Sequence, residues 1–357
     1  MLSLGIMASR LRSEETYFTE IALAADKENV AIYMFCPDKV NTQSETITGE
    51  AYDYKNNKWT ASHFPIPNFI YDRSFHGLAR QSEKVRYKIN WLQNHSMFLG
   101  FGLPGKSEVH QSFSKIASLS RFLPPLKKVY ATEDIWKELN DHGKIMLKPE
   151  FGSRGIGIYL LSVKDGGWVV RMTKKEEGYA RFFDNKTTLN RWLTYLLEEC
   201  PYVIQPYLEL SNNEDEPFDV RILLQKDSEN NWVERGRGVR VGRKHCITAN
   251  LASGARAFSF ETLLQAFPAD LQPQISKSIQ DIVNLLPREL EARFNRLFEI
   301  GVDLGIDKKG NVWLLDINSK PGRKIIELLH PEKMPELYKA PILYVRCLAE
   351  ELSKAGV

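Results

Sequence analysis

The sequence predicts an α/β fold that is divided into more than one domain. The chain has 357 residues, and at about 150 residues per domain this length corresponds to roughly two or three domains. Strand-like and helix-like segments alternate through the first hundred residues, a pattern typical of a mostly parallel sheet covered by helices. The composition, 43% hydrophobic and 11% aromatic, is sufficient for a large buried core and argues against disorder.

Charge and cysteine content exclude several classes of protein. Lys and Arg total 48 and Asp and Glu total 45, so the formal charge of +3 leaves no basic footprint for nucleic acid. No run of about 20 apolar residues could span a bilayer, and the start lacks a secretory signal, so we expect a cytoplasmic protein. The four cysteines lack C-x-x-C spacing and the seven histidines lack zinc-site spacing, so reduced core thiols and no zinc site are expected.

The N-terminal elements follow the hydrophobic pattern. A helix is predicted at Glu15 to Lys27, and strands are predicted at Leu4 to Met7, Val30 to Phe35 and Ile66 to Arg73. The proline- and glycine-containing stretch from Leu99 to Lys106 predicts the first domain boundary. We expect three domains or subdomains, at residues 1–107, 108–204 and 205–357.

The pattern changes after Gln111. Helices are predicted at Ser112 to Leu123 and Glu133 to Asn140, and Gly143 is placed to end the second helix. A strand at Ile145 to Leu147 then leads into the most informative segment of the chain.

That segment is residues 148 to 157, Lys-Pro-Glu-Phe-Gly-Ser-Arg-Gly-Ile-Gly, followed by an apolar strand at Ile158 to Leu161. Glycines let the backbone approach a ligand closely, successive free N–H groups bind anions, and Lys148 adds a positive charge. The alternative is an ordinary glycine-rich hairpin with a solvated lysine. Neither common nucleotide fingerprint is present, because G-x-x-x-x-G-K-[ST] is absent and a strand follows the loop.

Near the C-terminus, two apolar segments, 299–307 and 312–318, flank a Lys-Lys-Gly-Asn turn, which predicts a β-hairpin. Asp303 and Asp316 would then lie on adjacent strands, and Asn318 would share a face with Asp316. Two carboxylates and an amide oxygen suit Mg²⁺. The alternative is a polar outer face on an amphipathic hairpin, which the cost of an unpaired charge inside an apolar strand disfavours.

The segments between these two regions complete an ordered set. They are a helix at Thr188 to Glu199, a strand from Tyr202 to Glu209 broken at a proline, a strand at Phe218 to Leu224, and the stretch Asn250 to Gly254. In this order the segments resemble the ATP-grasp superfamily, particularly carboxylate–amine ligases of the glutathione-synthetase and ribosomal-protein glutamate-ligase kind. The match covers about residues 108 to 330, and Gly301 to Gly322 is its most specific part. The whole chain, including Tyr71-Asp72-Arg73, is similar to the YheC/YheD family of endospore coat-associated proteins.

This resemblance implies the architecture in more detail. It implies an N-terminal parallel-sheet domain at 1–107 that precedes the ATP-grasp unit and carries substrate specificity. A central ATP-grasp subdomain with a glycine-rich lid would span 108–204. A C-terminal ATP-grasp subdomain with the magnesium site would span 205–357.

The resemblance also implies site residues. ATP would contact Lys115, Lys148, the lid residues Gly152, Ser153, Gly155 and Gly157, the segment Gln205, Pro206, Tyr207, Leu208 and Glu209, and Asp219 and Arg221. The catalytic residues would be Lys148, Arg221, Arg240 and Asn250. One or two Mg²⁺ ions, with Mn²⁺ as the alternative, would bind Asp303, Asp316 and Asn318. Arg73, Arg154 and Arg240 are candidates for holding a substrate carboxylate, the alternative being solvated surface arginines.

The function implied is an ATP- and Mg²⁺-dependent carboxylate–amine ligase that acts through an acyl phosphate on small-molecule or peptide substrates. Spore-coat proteins are the further partners that the family implies. Two departures from the superfamily pattern, Asp316 in place of Glu and Ser253 in place of Gly, keep open an ATP-binding structural or regulatory protein without turnover. A small-molecule kinase on the same scaffold is the third alternative.

Overall fold

A computed structural model describes residues 1–74, 83–152, 155–174, 177–251 and 254–355. Within these residues the chain forms three sheets with helices packed against them, which confirms the predicted α/β fold class. Among the described helices, none combines the length and the hydropathy that a membrane span requires.

The first sheet lies in the N-terminal part of the chain. Its strands are β1 (Leu2–Ala8), β2 (Val30–Phe35), β3 (Val40–Asn41), β4 (Thr46–Asp53), β5 (Lys58–Pro65), β6 (Phe69–Arg73) and β7 (Met97–Phe98), with the helices α1 (Glu15–Asp26) and α2 (Glu83–His95). Strand β1 pairs in parallel with β2 and β6, as the alternating pattern predicts. Strands β3, β4 and β5 add an antiparallel extension that we did not predict. The turn between β4 and β5 uses Asn57 at positive φ, which marks a tight hairpin.

The structure has two short helices, α3 (Lys106–Phe113) and α4 (Ala117–Ser120), instead of the one helix predicted at 112–123, and α3 lies mostly before that range. The prediction of one continuous helix was wrong because Ile116 adopts an extended backbone, with φ −105° and ψ 106°. Phe113 and Leu119 are nevertheless both fully buried. The apolar spacing that suggested one helix is therefore met by two short helices.

The second sheet is antiparallel. Its strands are β8 (Lys127–Lys128), β9 (Lys144–Pro149), β10 (Tyr159–Lys164), β11 (Gly167–Lys174), β12 (Glu177–Phe183) and β13 (Tyr202–Pro206), with the helices α5 (Thr132–His142) and α6 (Lys186–Glu199). Gly143 ends α5 in the left-handed conformation, with φ 68°, as predicted. Strands β9 and β10 pair across the glycine-rich segment, so the predicted hairpin is confirmed.

The third sheet carries the carboxylate hairpin. Its strands are β14 (Phe218–Lys226), β15 (Trp232–Val241), β16 (Arg256–Phe258), β17 (Glu299–Ile306) and β18 (Val312–Asn318), with the helices α7 (Phe260–Gln265) and α8 (Gln272–Arg293). The apolar face of α8, which includes Ile275, Ile279 and Ile282, packs into one core with β14 and β17. This core holds the two strands of the hairpin in place.

The chain ends by returning to the first sheet. After α9 (Lys324–Leu329), the 22-residue helix α10 (Met334–Ala355) packs beside α1. Tyr344, Val345 and Leu348 are buried in the same cluster as Phe18 and Ile21 of α1. The helix thus joins the C-terminal residues to the N-terminal sheet. The units at 1–107, 108–204 and 205–357 stay a prediction.

A buried ionic cluster connects the first sheet to the third. Arg73, at the end of β6, is 1% exposed. Its guanidinium donates to Glu14 Oε1 and Oε2, to Glu299 Oε1 at 2.7 Å, and to the carbonyl oxygen of Pro321. Arg323 also donates to Glu299 Oε2, at 2.9 Å. Arg73 is therefore enclosed in protein, and the hypothesis that it holds a substrate carboxylate is wrong.

Candidate functional site

A cleft of about 940 Å³ lies between the three sheets and continues into a smaller cavity of about 150 Å³. The two spaces share part of their walls, namely Lys106, Lys148, Gly152, Gln205, Leu315, Asp316 and Asn318. The cleft also reaches β6 and α2 of the first sheet, whereas the smaller cavity is walled by the second and third sheets.

Most of the predicted site residues line the smaller cavity. They are Lys148, Gly152, Gly155, Gln205, Tyr207, Leu208, Asp219, Arg221, Arg240, Asn250, Asp303, Asp316 and Asn318. These residues come from distant parts of the chain, and the packing of the second sheet against the third brings them together.

Other predicted site residues lie elsewhere. Lys115, Gly157, Pro206 and Glu209 are outside the described walls of both cavities. Lys115 and Glu209 are exposed to solvent. Ser153, like Arg154 and Ser253, lies outside the described residues.

Lys106 is the site residue that the sequence prediction missed. It begins α3, and its Nζ lies 2.6 Å from Asp316 Oδ1 and 3.4 Å from the carbonyl oxygen of Gly152. We assigned this lysine to a domain boundary and chose Lys115, which follows the other end of α3. The signal that could have identified Lys106 is Gly105, an N-cap that starts a helix directly at the cavity.

The carboxylate hairpin has the predicted geometry. Strands β17 and β18 are antiparallel neighbours, and Asp303 pairs directly with Asp316 across them. A bulge follows between Asp303 and Leu304. Asn318 donates weakly to Asp316 Oδ2, at 3.4 Å, so the two side chains share a face. The two carboxylates and the amide line one cavity.

Arginines on β14 and β15 surround the buried carboxylates. Arg240 donates from Nε and Nη2 to both oxygens of Asp219, at 2.6 and 2.7 Å. Its Nη2 also lies 3.0 Å from Asp303 Oδ1. Arg221 donates from Nη2 to Asp303 Oδ2 at 3.1 Å, and its Nε is 2.6 Å from Oδ1 without hydrogen-bond alignment. Asp303 is thus held between two guanidinium groups.

Burial and these charges shift the ionisation of the site in three ways. Burial alone would raise the pKa of Asp303, but Arg221 and then Arg240 outweigh it and lower that pKa. Burial raises the pKa of Asp219 to about 6, and repulsion from Asp303 adds to this although Arg240 opposes it. Burial lowers the pKa of Lys148 to about 8, against the attraction of Asp316. Asp303 is therefore stabilised as the carboxylate, whereas the pKa of Lys148 lies at about 8.

The donor set fits a hard divalent cation. Among the described residues, no group of three or more His, Cys, Asp or Glu side chains is arranged to hold a metal. The candidate ligands are instead the carboxylates of Asp303 and Asp316 and the amide oxygen of Asn318. Oxygen donors of this kind, with one or two carboxylates, are the ligands that Mg²⁺ combines with substrate phosphates. Asp303 Oδ1 is buried and lies 2.6 Å from Arg221 Nε and 3.0 Å from Arg240 Nη2, so a metal ion bound there would share this oxygen with the two guanidinium groups.

Apolar side chains also line the smaller cavity. They include Met146, Leu208, Leu210, Phe218 and Leu315. Gln205, which lines the same cavity, is 4% exposed, and its Oε1 has no hydrogen-bond partner within the described residues. A flat apolar ligand that carries an N–H donor would satisfy both features.

Comparisons with known proteins identify relatives along the whole chain. A family model described as YheC/D like ATP-grasp matches residues 95–348. The endospore coat-associated protein YheC of Bacillus subtilis (strain 168) is 31% identical over 359 residues, which cover 100% of this chain and 99% of that protein.

Solved structures share the fold at low sequence identity. The D-alanine–D-alanine ligase of Bacillus anthracis has a TM-score of 0.56 and 13% identity, and the match covers 99% of this chain and 100% of that chain. An ADP complex of purK, an N5-carboxyaminoimidazole ribonucleotide synthetase, has a TM-score of 0.51 and 10% identity. That match covers 90% of this chain and 72% of the synthetase.

Proposed function

Because the chain belongs to the YheC/D-like ATP-grasp family, we propose that it is an ATP- and Mg²⁺-dependent ligase that joins a carboxylate to an amine. One observation carries the proposal. The cations Lys106, Lys148 and Arg221 and the carboxylates Asp303 and Asp316 converge on a single cavity. Triphosphate and metal together need this combination of charges.

ATP would occupy the smaller cavity. Adenine would lie among Met146, Leu208, Phe218 and Leu315, and its amino group would donate to Gln205 Oε1. A synthetase of similar fold has been solved with ADP, which supports nucleotide binding in general. The phosphates would then lie towards Lys106 and Lys148, because these lysines supply positive charge to the cavity wall.

Mg²⁺ would be held by Asp303, Asp316 and Asn318. When bound there, the ion would neutralise phosphate charge and help to align the transferred phosphoryl group. In the structure Lys106 pairs with Asp316, and Arg221 and Arg240 pair with Asp303. The two carboxylates are thus already oriented.

The chemistry requires two transfers. The substrate carboxylate attacks the γ-phosphorus, the bond to the β-phosphate breaks, and ADP leaves. The amine then attacks the acyl carbon, loses its proton, and phosphate departs as the amide forms. Lys148 and Arg221 would stabilise the phosphoryl charge, and the loss of one such contact commonly costs about 10²–10³ in rate. Arg240 and Asn250 would face the acyl group, and the glycine-rich segment would exclude water.

Thermal unfolding with and without MgATP tests nucleotide binding. We expect MgATP at a hundredfold excess over its Kd to stabilise the wild-type protein by about 2.7 kcal/mol. Asp316→Ala should lose the magnesium-dependent part of that stabilisation. Asp165→Ala, an exposed carboxylate in the turn between β10 and β11, is the matched control and should keep it. An unchanged melting temperature of the wild type in millimolar MgATP would refute the assignment.

Product analysis separates the ligase from the two alternatives. A ligase forms an amide and releases free phosphate only when acid and amine are both present. A small-molecule kinase would leave the γ-phosphate on its product. A structural or regulatory protein would bind MgATP with no substrate-stimulated phosphate release from any acid and amine mixture.

The comparison with YheC also supports a proposal for where the protein is located. We propose that it associates with the endospore coat, because its relative over the full chain is named for that association. Fractionation of spores with an antibody against the chain tests this. Recovery only outside the spore coat fraction would contradict it.

A further inference from the structure

Asp72, Ser74 and Lys320 form a charged cluster in the cleft that the proposed nucleotide chemistry does not use. Lys320 Nζ donates to Asp72 Oδ2 at 2.6 Å and to the carbonyl oxygen of Ser74 at 2.9 Å. The backbone N–H of Ser74 donates to Asp72 Oδ1 at 2.8 Å, and its hydroxyl donates to the same oxygen. Both charged side chains therefore have a defined orientation.

The cluster lies next to the candidate metal ligands but outside the nucleotide cavity. All three residues line the large cleft, and none lines the described walls of the smaller cavity. Lys320 follows Asn318 by two residues, whereas Asp72 ends β6 of the first sheet. A ligand held here would meet the phosphate region where the cleft and the cavity join.

The pair is accessible to a ligand. The side chain of Asp72 is 13% exposed and that of Lys320 is 18% exposed, and this partial burial limits screening by solvent. Two of the three Nζ protons of Lys320 are used by the contacts described above. Within the described residues the third proton has no acceptor other than these contacts, so it can donate to a ligand.

More deeply buried residues beside this cluster already connect the first sheet to the third. Arg73, the next residue after Asp72, joins the first sheet to the third through Glu299 and the carbonyl oxygen of Pro321. That cluster is almost completely buried, with Glu299 2% exposed. The Asp72–Lys320 pair lines the cleft beside this connection and is more exposed than the Arg73–Glu299 pair.

We propose that Asp72, Ser74 and Lys320 bind the zwitterionic head group of a free amino acid, which is one substrate of the ligase. Asp72 takes the ammonium and Lys320 takes the carboxylate, so the ligand replaces their mutual ion pair with two charge-assisted hydrogen bonds. The inference rests on the proposed ligase function, and it names the class of substrate that enters from the first sheet.

The test is a ligand screen on the full-length protein saturated with MgADP. The probes are the L-amino acids and D-alanine, each with its N-acetyl and its carboxamide derivative, and binding is measured by calorimetry. We expect at least one free amino acid to bind and both of its blocked derivatives to bind about tenfold or more weakly, because each lacks one charge. No binding by any free amino acid, or equal binding by the blocked forms, would overturn the proposal.

Variants then locate the head group. Lys320→Gln and Asp72→Asn should each weaken binding of the amino acid about tenfold or more, with unchanged affinity for MgADP. The double variant Asp72→Lys/Lys320→Asp keeps an ion pair and should fold, but it should lose the amino acid because the two charges have exchanged places. Wild-type affinity for the amino acid in these variants would refute the site.

The MgADP measurement in the same samples distinguishes two failures. If the wild-type protein does not bind MgADP, the result counts against the proposed function as a whole. MgADP binding without amino-acid binding would count against this inference alone.

Discussion

At the scale of single residues, the lysines of the candidate site are the most informative. Lys106 Nζ lies 2.6 Å from Asp316 Oδ1, and Lys148 feels attraction from Asp316 and repulsion from Lys106. Two ammonium groups thus surround one carboxylate. The negative charge of a bound triphosphate would balance this excess of positive charge.

Lys106→Met should weaken ATP binding, because it removes a charge-assisted contact within the shared wall of the two cavities. We expect about a tenfold or greater rise in the Kd, as the loss of a hydrogen bond to a charged group implies. The matched control is Lys115→Met, which changes an exposed lysine outside both walls and should leave the Kd unchanged. Calorimetric titration with a non-hydrolysable ATP analogue measures both. A larger effect at Lys115 would restore the sequence-based assignment.

Lys148 should make nucleotide binding depend on pH. Its pKa in the free protein is lowered to about 8 by burial, so the side chain is charged below pH 8 and neutral above it. Phosphates favour the charged form, so affinity should be high at pH 7 and fall about tenfold by pH 9. Lys148→Arg, which stays charged throughout this range, should bind with little pH dependence. A flat profile in the wild type would contradict the lowered pKa.

At the scale of secondary-structure elements, the start of helix α3 depends on Glu150, the residue that directly follows β9. Glu150 is 4% exposed and accepts from the backbone N–H and the hydroxyl of Ser107, at 3.1 and 2.6 Å. A Cβ atom at Gly105 would lie 2.1 Å from Glu150 Oε1. Glycine at this N-cap therefore lets the carboxylate approach the helix that presents Lys106.

Gly105→Ala should displace Glu150 and disturb α3. We expect a loss of about 1–3 kcal/mol in the free energy of unfolding, the usual cost of overpacking, together with weaker nucleotide binding. Glu150→Ala should remove the clash, so the double variant should lose less than the sum of the two single losses. Gly102→Ala is the control, because a Cβ there meets nothing within 4 Å. Strict additivity in urea unfolding would show that the two positions are not coupled.

At the scale of the whole molecule, the ionic cluster around Glu299 holds the first and third sheets together. Glu299 accepts from Tyr71 at 2.6 Å, from Arg73 at 2.7 Å and from Arg323 at 2.9 Å. It begins β17, four residues before Asp303, and Arg323 follows the end of β18. The cluster therefore holds the start of β17 and the segment after β18, which are the two chain ends at the open side of the hairpin that carries the candidate metal ligands.

Glu299→Gln should strongly destabilise the protein, because it leaves Arg73 and Arg323 buried with only part of their compensating charge. We expect a loss of about 3–5 kcal/mol in the free energy of unfolding, measured by urea with tryptophan fluorescence. Asp281→Asn breaks the exposed pair with Arg121 and should cost less than about 1 kcal/mol. Equal losses in the two variants would contradict the role of the buried cluster.

The sequence was sufficient wherever the contacts are local. The hairpin of Asp303 and Asp316 and the glycine-rich hairpin after Lys148 could both be predicted, because strand alternation and turn residues specify pairing between neighbouring segments. The ordered motifs also indicated the family correctly, as the match over residues 95–348 confirms. The roles of the individual site residues stay predictions.

Only the tertiary structure decided which side chains meet across the chain. In the structure Lys106, not Lys115, lies at the cavity, and Arg73 is buried among acidic side chains. Helix α10 packs against the first sheet. Asp72 pairs with Lys320, which is 248 positions away in the sequence. The physical reason is that hydrophobic periodicity states which face of an element is buried but not which other element buries it. That choice is made by the packing of whole sheets and helices.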